Sequence, residues 1–216
     1  MFETDRAIGE LKAVLAAPSE AMPVGAHARA QLLLGTACDR LGERDSAVQA
    51  YNAAIAEAAT EHTRPIRERV SVALRQTPDL QAAEAYRLSI VGWRALERGA
   101  TAEAEAALTR AVTLSPSDAV VRYRYGRMLQ ASGDTSRARE ELERLIAAAP
   151  PARAVILSSA LVAHAQMLEG AGDSTRALTM YQRVIEVAGG DPRARDDARR
   201  ALKRLQRPAK KQIFDI

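Results

Sequence analysis

The chain has one cysteine, four lysines and few aromatic residues, and each shortage narrows what the protein can be. Because Cys38 is the single cysteine among 216 residues, no disulfide can form within the chain, which is typical of proteins in a reducing compartment. Aromatic residues make up 4% of the sequence, whereas hydrophobic residues as a whole make up 47%, and alanine supplies much of the difference. This composition favours closely packed helices over a sheet.

Long apolar runs are also missing. No stretch of about 18 apolar residues occurs, so the sequence predicts no membrane-spanning helix. The first residues, 1–5, are acidic and lack the apolar segment of a secretory signal, so we expect a cytoplasmic protein if the chain is not a fragment. The formal charge of +4 is modest for this length and does not by itself indicate nucleic-acid binding.

What the sequence does contain is a repeat between residues 85 and 150. Pairs of small residues and prolines recur there at an interval of 34 residues. The pairs are Gly92 and Gly126, Gly99 and Gly133, Ala104 and Ala138, and Pro116 and Pro150. A fixed period of this length is typical of a helix–turn–helix repeat.

Each repeated position has a physical role in a pair of antiparallel helices. A glycine within a helix costs about 1 kcal/mol relative to alanine, so Gly92 and Gly126 indicate close approach of two backbones. Gly99 and Gly133 are predicted to end the first helix in the left-handed conformation. Thr101 and the segment 134–136 are residue types that cap the start of the second helix, and proline ends it.

Four copies of the pattern can be aligned. They share a small residue in the first helix, a tyrosine or leucine in the second, and a β-branched residue one turn later. These columns read Gly35, Gly92, Gly126, Ala165; Tyr51, Leu108, Leu142, Tyr181; and Ile55, Val112, Ile146, Ile185. The pattern resembles the tetratricopeptide repeat family over roughly residues 28–190, although the family's early aromatic column reads Gln31, Leu88, Arg122 and Leu161 here. The resemblance implies an all-α, right-handed α-α superhelix of about four units with capping helices at both ends.

The spacing predicts the following organisation. Residues 1–25 form an N-terminal half-repeat or capping helix, 26–190 hold four units, 191–207 form a C-terminal capping helix, and 208–216 form a tail. The units are 26–60, 85–118, 119–152 and 156–190, with an inserted helix at 61–79. Thr77 is predicted to cap the helix that follows the insertion, because Pro78 fits a first helical turn.

In a stacked array of such units, the first helices line a concave groove. Leu34, Val91 and Tyr125 are assigned to the core stripe of these helices, so the neighbouring stripe at helical spacing should face the groove. The predicted partner-binding residues are Tyr86, Ser89, Trp93, Tyr123, Arg124, Arg127, Gln130 and Gln166. Tryptophan, tyrosine and arginine dominate binding energy at protein interfaces. The alternative for the three aromatic residues is packing between neighbouring units.

Some members of the family grip a terminal carboxylate with lysine, asparagine and arginine on this face. The matching positions here carry Leu32, Thr36, Ile90, Val120 and Arg124. Only Arg124 suits that task, so we do not expect a carboxylate clamp.

Catalytic and metal-binding patterns are absent from the sequence. The histidines, His27, His62 and His164, fall in different units without zinc spacing, and His164 occupies an apolar column, where we expect it to be packed. No phosphate-binding glycine loop or nucleophile with its base is visible. We therefore predict a non-catalytic protein without cofactor, metal or small-molecule substrate, which binds a peptide or helix of a partner protein.

Two other functions stay open. The chain could be a structural or oligomerising module of a larger assembly. Alternatively, the basic residues of the last predicted helix, from Arg193 to Arg207, could bind nucleic acid, although aspartates interrupt them and no aromatic residues interleave. The tail ends in Ile213, Phe214 and Ile216, which could dock on a groove of this chain or of a neighbour.

Overall fold

The structure, a computed structural model, describes residues 4–148 and 153–206. These residues form eleven α-helices and two 3-10 turns, and no strand occurs among them, which confirms the all-α prediction. The helices are α1 (Thr4–Ala16), α2 (Ala26–Leu41), α3 (Arg44–Glu57), α4 (Arg64–Arg75), α5 (Leu80–Glu97), α6 (Thr101–Leu114), α7 (Ala119–Ala131), α8 (Thr135–Ala148), α9 (Ala154–Gly170), α10 (Ser174–Glu186) and α11 (Pro192–Leu205). The 3-10 turns are Ser19–Ala21 and Glu61–Thr63. The predicted tail at 208–216 lies outside the described residues.

The chain divides into two compact units, Met1–Arg87 and Leu88–Ile216, and the boundary falls within α5. In unit 1, α2 packs against α1 and α3, and α4 packs on α2 and α3. In unit 2, α7 packs against α6, α8 and α9, and α9 also contacts α10 and α11. Within each unit, helices that follow one another in the chain are therefore neighbours, as expected of a helical repeat.

Small residues in the first helix of each repeat let the second helix pack closely against its backbone. The space left for a side chain at these positions differs between repeats. A Cβ added at Gly35 would lie 2.5 Å from the Tyr51 ring, and one at Gly92 would lie 2.5 Å from Leu108 Cγ. At Gly126 the nearest atoms, which belong to Leu142, would be 3.4 Å away, an ordinary contact distance. Glycine is thus required at two of these positions, whereas the third has room for a methyl group.

The C-terminal ends of the first helices follow the predicted turn chemistry. Gly42, Gly99, Gly133 and Gly172 all adopt positive φ angles, between 75° and 85°, which only glycine adopts without strain. The prediction that Gly99 and Gly133 end their helices in the left-handed conformation is confirmed.

Aspartates cap several of the helices that follow a turn. Asp118, Asp173 and Asp191 each accept hydrogen bonds from backbone N–H groups in the first turn of α7, α10 and α11. The prediction that Thr77 caps the helix after the insertion is wrong. Asp79 takes this role instead, because its Oδ1 accepts from the Ala82 N–H at 2.9 Å and the helix begins at Leu80.

Hydrogen bonds from two arginines near helix ends hold the inserted helix α4 against α3 within unit 1. Arg44, in the first turn of α3, donates to the Ala73 and Leu74 carbonyls at the C-terminal end of α4 and also pairs with Asp39 at 2.9 Å. Arg67 of α4 donates to the Ala58 carbonyl at the end of α3. A cation at a helix C-terminus satisfies carbonyls that have no partner in the helix and favours the helix dipole.

In each unit, a hydrogen bond from a tyrosine to a carboxylate joins the two helices of one pair. Tyr51 Oη donates to Asp39 Oδ2 at 2.9 Å in unit 1, and Tyr181 Oη donates to Glu169 Oε2 at 3.1 Å in unit 2. Burial raises the pKa of both phenols to about 12, so both remain donors at neutral pH. Arg204 of α11 also donates to Glu169 at 2.6 Å, which links this bond to the last helix.

His164 lies buried in α9, with 7% of its surface exposed, as expected from its apolar column. Its Nε2 lies 3.2 Å from Glu143 Oε1 of α8, without the geometry of a hydrogen bond. Burial lowers the pKa of His164; Arg176 and Arg139 act in the same direction, whereas Glu143 opposes them.

The glycine column generates a matched pair of stability predictions. Gly92→Ala should lower the free energy of unfolding by about 1–3 kcal/mol, because overpacking against Leu108 outweighs the better helix propensity of alanine. Gly126→Ala should be neutral or stabilise the protein by up to about 1 kcal/mol. Urea unfolding followed by circular dichroism measures both, and equal effects of the two variants would contradict the difference in packing.

A second prediction concerns pH. Unfolded His164 takes up a proton near its ordinary pKa of about 6.5, whereas the folded form resists protonation until lower pH. Acidification through this range therefore favours the unfolded chain, so the free energy of unfolding should fall more steeply between pH 8 and 5 than in His164→Gln. Urea titrations at several pH values test this, and parallel pH profiles of the two proteins would disprove it.

Candidate functional site

Three of the side chains that the sequence placed at the centre of the groove come together in unit 2. Trp93 of α5 and Tyr123 of α7 have ring centroids 6.3 Å apart at an interplanar angle of 33°. The Arg127 guanidinium lies 6.0 Å from the centroid of the Tyr123 ring and donates to Tyr123 Oη at 3.1 Å. We call Trp93, Tyr123 and Arg127 the aromatic–arginine cluster.

Two members of the cluster remain accessible. Trp93 and Arg127 are half-buried, whereas Tyr123 is 1% exposed and supports them from below. The indole Nε1–H of Trp93 donates to Glu97 Oε1 at 2.9 Å, one helical turn later. Sequence reasoning missed Glu97, although its i, i+4 spacing from Trp93 could have indicated the contact.

Arg124 and Ser89 lie beneath the surface. Arg124 is 1% exposed, Ser89 is fully buried, and Arg124 donates to Ser89 Oγ at 2.7 Å. This bond joins α7 to α5, so both residues hold successive first helices together. The buried Arg124 guanidinium is therefore not accessible to a partner's terminal carboxylate.

The two glutamines differ in their surroundings. Gln166 of α9 is exposed, whereas Gln130 of α7 is half-buried. The Oε1 atom of Gln130 is buried and accepts no hydrogen bond from the residues that the structure describes. Because α7 packs directly against α9, the first helices of unit 2 form one surface. We call the surface carrying Trp93, Arg127, Gln130 and Gln166 the first-helix face.

Tyr86 belongs to unit 1 and is occupied by contacts within that unit. Its hydroxyl lies 2.8 Å from Thr4 Oγ1, and the Arg40 guanidinium stacks 4.0 Å from its ring centroid. With 6% of its surface exposed, Tyr86 packs the start of α5 against α1 and α2. Its predicted role in partner binding stays a prediction.

The assignment of core and groove stripes was partly wrong. Val91, which was assigned to the core, is 46% exposed, whereas Ser89 and Tyr123 of the predicted groove stripe are buried. The reason is that successive first helices in unit 2 contact each other through Ser89 and Tyr123. A stripe defined on one isolated helix does not include this contact.

The basic residues of α11 mostly have partners within the protein. Arg199 pairs with Asp196 and Arg200 with Asp197, Arg204 pairs with Glu169, and Arg195 donates to the Val187 carbonyl. The aspartates that interrupt the basic run, Asp196 and Asp197, therefore each offset the charge of one arginine.

Residues 4–148 and 153–206 show neither a metal-ion cluster nor a membrane-spanning helix. No three His, Cys, Asp or Glu side chains in these segments are grouped as a metal ion would require. None of the described helices combines the length and apolar character needed to cross a bilayer.

Three solved structures that are similar to this chain are the following. The crystal structure of MamA is 20% identical over 86% of this chain and 88% of its own, with a TM-score of 0.43. YrrB, described as a TPR protein with an unusual peptide-binding site, is 17% identical over 93% and 98%, with a TM-score of 0.48. A TPR2AB-domain:pHSP90 complex of yeast Sti1 is 16% identical over 95% and 80%, with a TM-score of 0.49. We transfer no site or partner from these proteins.

Comparison of the sequence with curated proteins and with family models gives two results. A comparison with curated proteins finds no matching relative. Two family models described as tetratricopeptide repeat match residues 3–62 and 95–164, which together make up more than half of the sequence. These segments include Gly35 and Gly126 of the small-residue column and the turn glycines Gly42, Gly99 and Gly133, and they support a protein-interaction scaffold in general. The chain therefore belongs to the tetratricopeptide repeat family.

Proposed function

We propose that this protein is a non-catalytic scaffold that binds a peptide or helix of a partner protein on the first-helix face of unit 2. The observation that carries the proposal is the aromatic–arginine cluster. It places a half-buried indole, a phenol ring and a guanidinium side by side, with Trp93 and Arg127 accessible.

The cluster has the properties of an interface anchor. Rings held by packing lose little conformational freedom when a partner binds, so most of the burial energy contributes to affinity. Tyr123 is fixed by burial, and Trp93 is oriented by its bond to Glu97. The half-buried Trp93 can lose its remaining exposed surface to a partner at a gain of about 25 cal/mol per Å² of apolar area.

Gln166 suits recognition of a peptide backbone. It is exposed on α9, whereas Gln130 of α7 is half-buried and its Oε1 atom is enclosed. A side-chain amide both donates and accepts, so it can pair with a peptide group of either orientation. The face thus combines an apolar anchor with adaptable polar groups, as in binding surfaces generally.

A peptide library displayed on phage and selected on the full chain tests the proposal. Because Trp93 is the single tryptophan, its fluorescence reports binding of synthesised hits directly. Trp93→Ala should weaken binding of the hits by about 30-fold or more, as expected for a buried aromatic anchor. Affinities of the variants are measured by calorimetry, and circular dichroism confirms that each variant is folded.

Matched controls lie on the same and on another helix. Val91→Ala changes an exposed apolar residue of α5, and Arg183→Ala changes an exposed arginine of α10. Both should leave affinity within about twofold. Hits that bind Trp93→Ala as tightly as the wild type, or no hits together with a constant dimer by light scattering, would refute the assigned site.

A further inference from the structure

Arg127 differs from several other arginines of unit 2 in having no acidic partner. Arg122 pairs with Glu141, Arg144 with Glu140 and Arg176 with Asp173. Among the residues that the structure describes, Arg127 lies within ion-pair distance of no carboxylate. Its hydrogen bond goes to the neutral hydroxyl of Tyr123 at 3.1 Å.

The surroundings of Arg127 strengthen its interaction with an anion. The guanidinium is half-buried beside the Tyr123 ring, where the effective dielectric constant is lower than in bulk water. A guanidinium has five N–H donors, and Tyr123 uses one side of this fork. The remaining donors match the two oxygens of a carboxylate, the geometry in which arginine binds most strongly.

Two carboxylates on the helices to either side of α7 already have partners. Glu97 of α5 is committed to the Trp93 indole, and Glu169 of α9 is committed to Tyr181 and Arg204. Gln166 of α9 and Gln130 of α7 are neutral. The first-helix face thus presents a cation with free donors next to an indole.

We propose that the partner segment carries an aspartate or glutamate side chain that pairs with Arg127, next to an apolar side chain that packs on Trp93. This inference rests on the proposed function and names the chemistry of its partner. A single side-chain carboxylate is sufficient for this pair, because Arg127 offers one guanidinium and the neighbouring Arg124 is buried.

The test uses the selected peptides, synthesised with both termini capped. Replacement of each Asp by Asn, or Glu by Gln, should identify one acidic position at which affinity falls by roughly tenfold in 0.15 M salt, about 1.4 kcal/mol. Arg127→Gln should cause a loss of similar size. The two changes together should cost no more than either alone, because both remove the same pair.

Arg183→Gln is the matched charge control. It removes the charge of an exposed arginine of α10, so affinity for an acidic peptide should stay within about twofold of the wild-type value. Wild-type binding should also weaken as salt increases, and this dependence should be smaller in Arg127→Gln.

The outcomes separate the two proposals. Peptides that depend on Trp93 but bind Arg127→Gln as tightly as the wild type would overturn the acidic-partner inference and leave the site intact. Hits whose acidic residues can all be neutralised without loss, or that bind only with a free C-terminal carboxylate, would overturn it as well. Peptides that do not depend on Trp93 would count against the site itself.

Discussion

The structure depends on how closely two helix backbones can approach within a repeat. At Gly92 the space for a side chain is already taken by Leu108, and at Gly35 by Tyr51. Without a Cβ at these positions, the large residue of the second helix packs directly on the backbone of the first. Protein interiors are close-packed, so this approach fixes the spacing of the helix pair and, through it, where the first helices meet their neighbours.

The first-helix face follows from this packing. Because α5 and α7 contact each other through buried residues, Ser89 and Arg124 among them, the residues one turn away emerge together at the surface. Trp93 and Arg127 are such residues. Ser89 and Arg124 lie buried beneath this face, whereas the indole of Trp93 and the guanidinium of Arg127 reach its surface. Such an arrangement is suited to a preorganised contact surface. The proposed partner chemistry is therefore a consequence of how the helices stack.

Much of the fold could be predicted from the sequence, because it rests on local chemistry. Gly99 and Gly133 end helices where only a left-handed residue fits, and Asp191 before Pro192 starts one, so periodic spacing locates these elements. The exposed and buried stripes were harder to predict, as Val91 and Ser89 show. Their burial depends on contacts between successive first helices, which no single-helix pattern encodes.

The inserted segment marks a second limit of sequence reasoning. The helix in this segment was predicted from the sequence. The hydrogen bonds by which Arg44 and Arg67 hold it in place were not, because arginine is common throughout the chain and neither residue belongs to a recognisable pattern. Bonds from a guanidinium to the carbonyls at another helix end do not follow a helical spacing that can be read from the sequence. Only the folded arrangement reveals them.

The central claim, that contact between Leu108 and the Gly92 backbone sets the helix spacing, can be measured by a double-mutant cycle. Gly92→Ala, Leu108→Ala and the double variant are compared by urea unfolding. If the added methyl group conflicts with Leu108, the double variant should be more stable than the sum of the single changes by about 1 kcal/mol or more. Additivity within about 0.5 kcal/mol would contradict the claim.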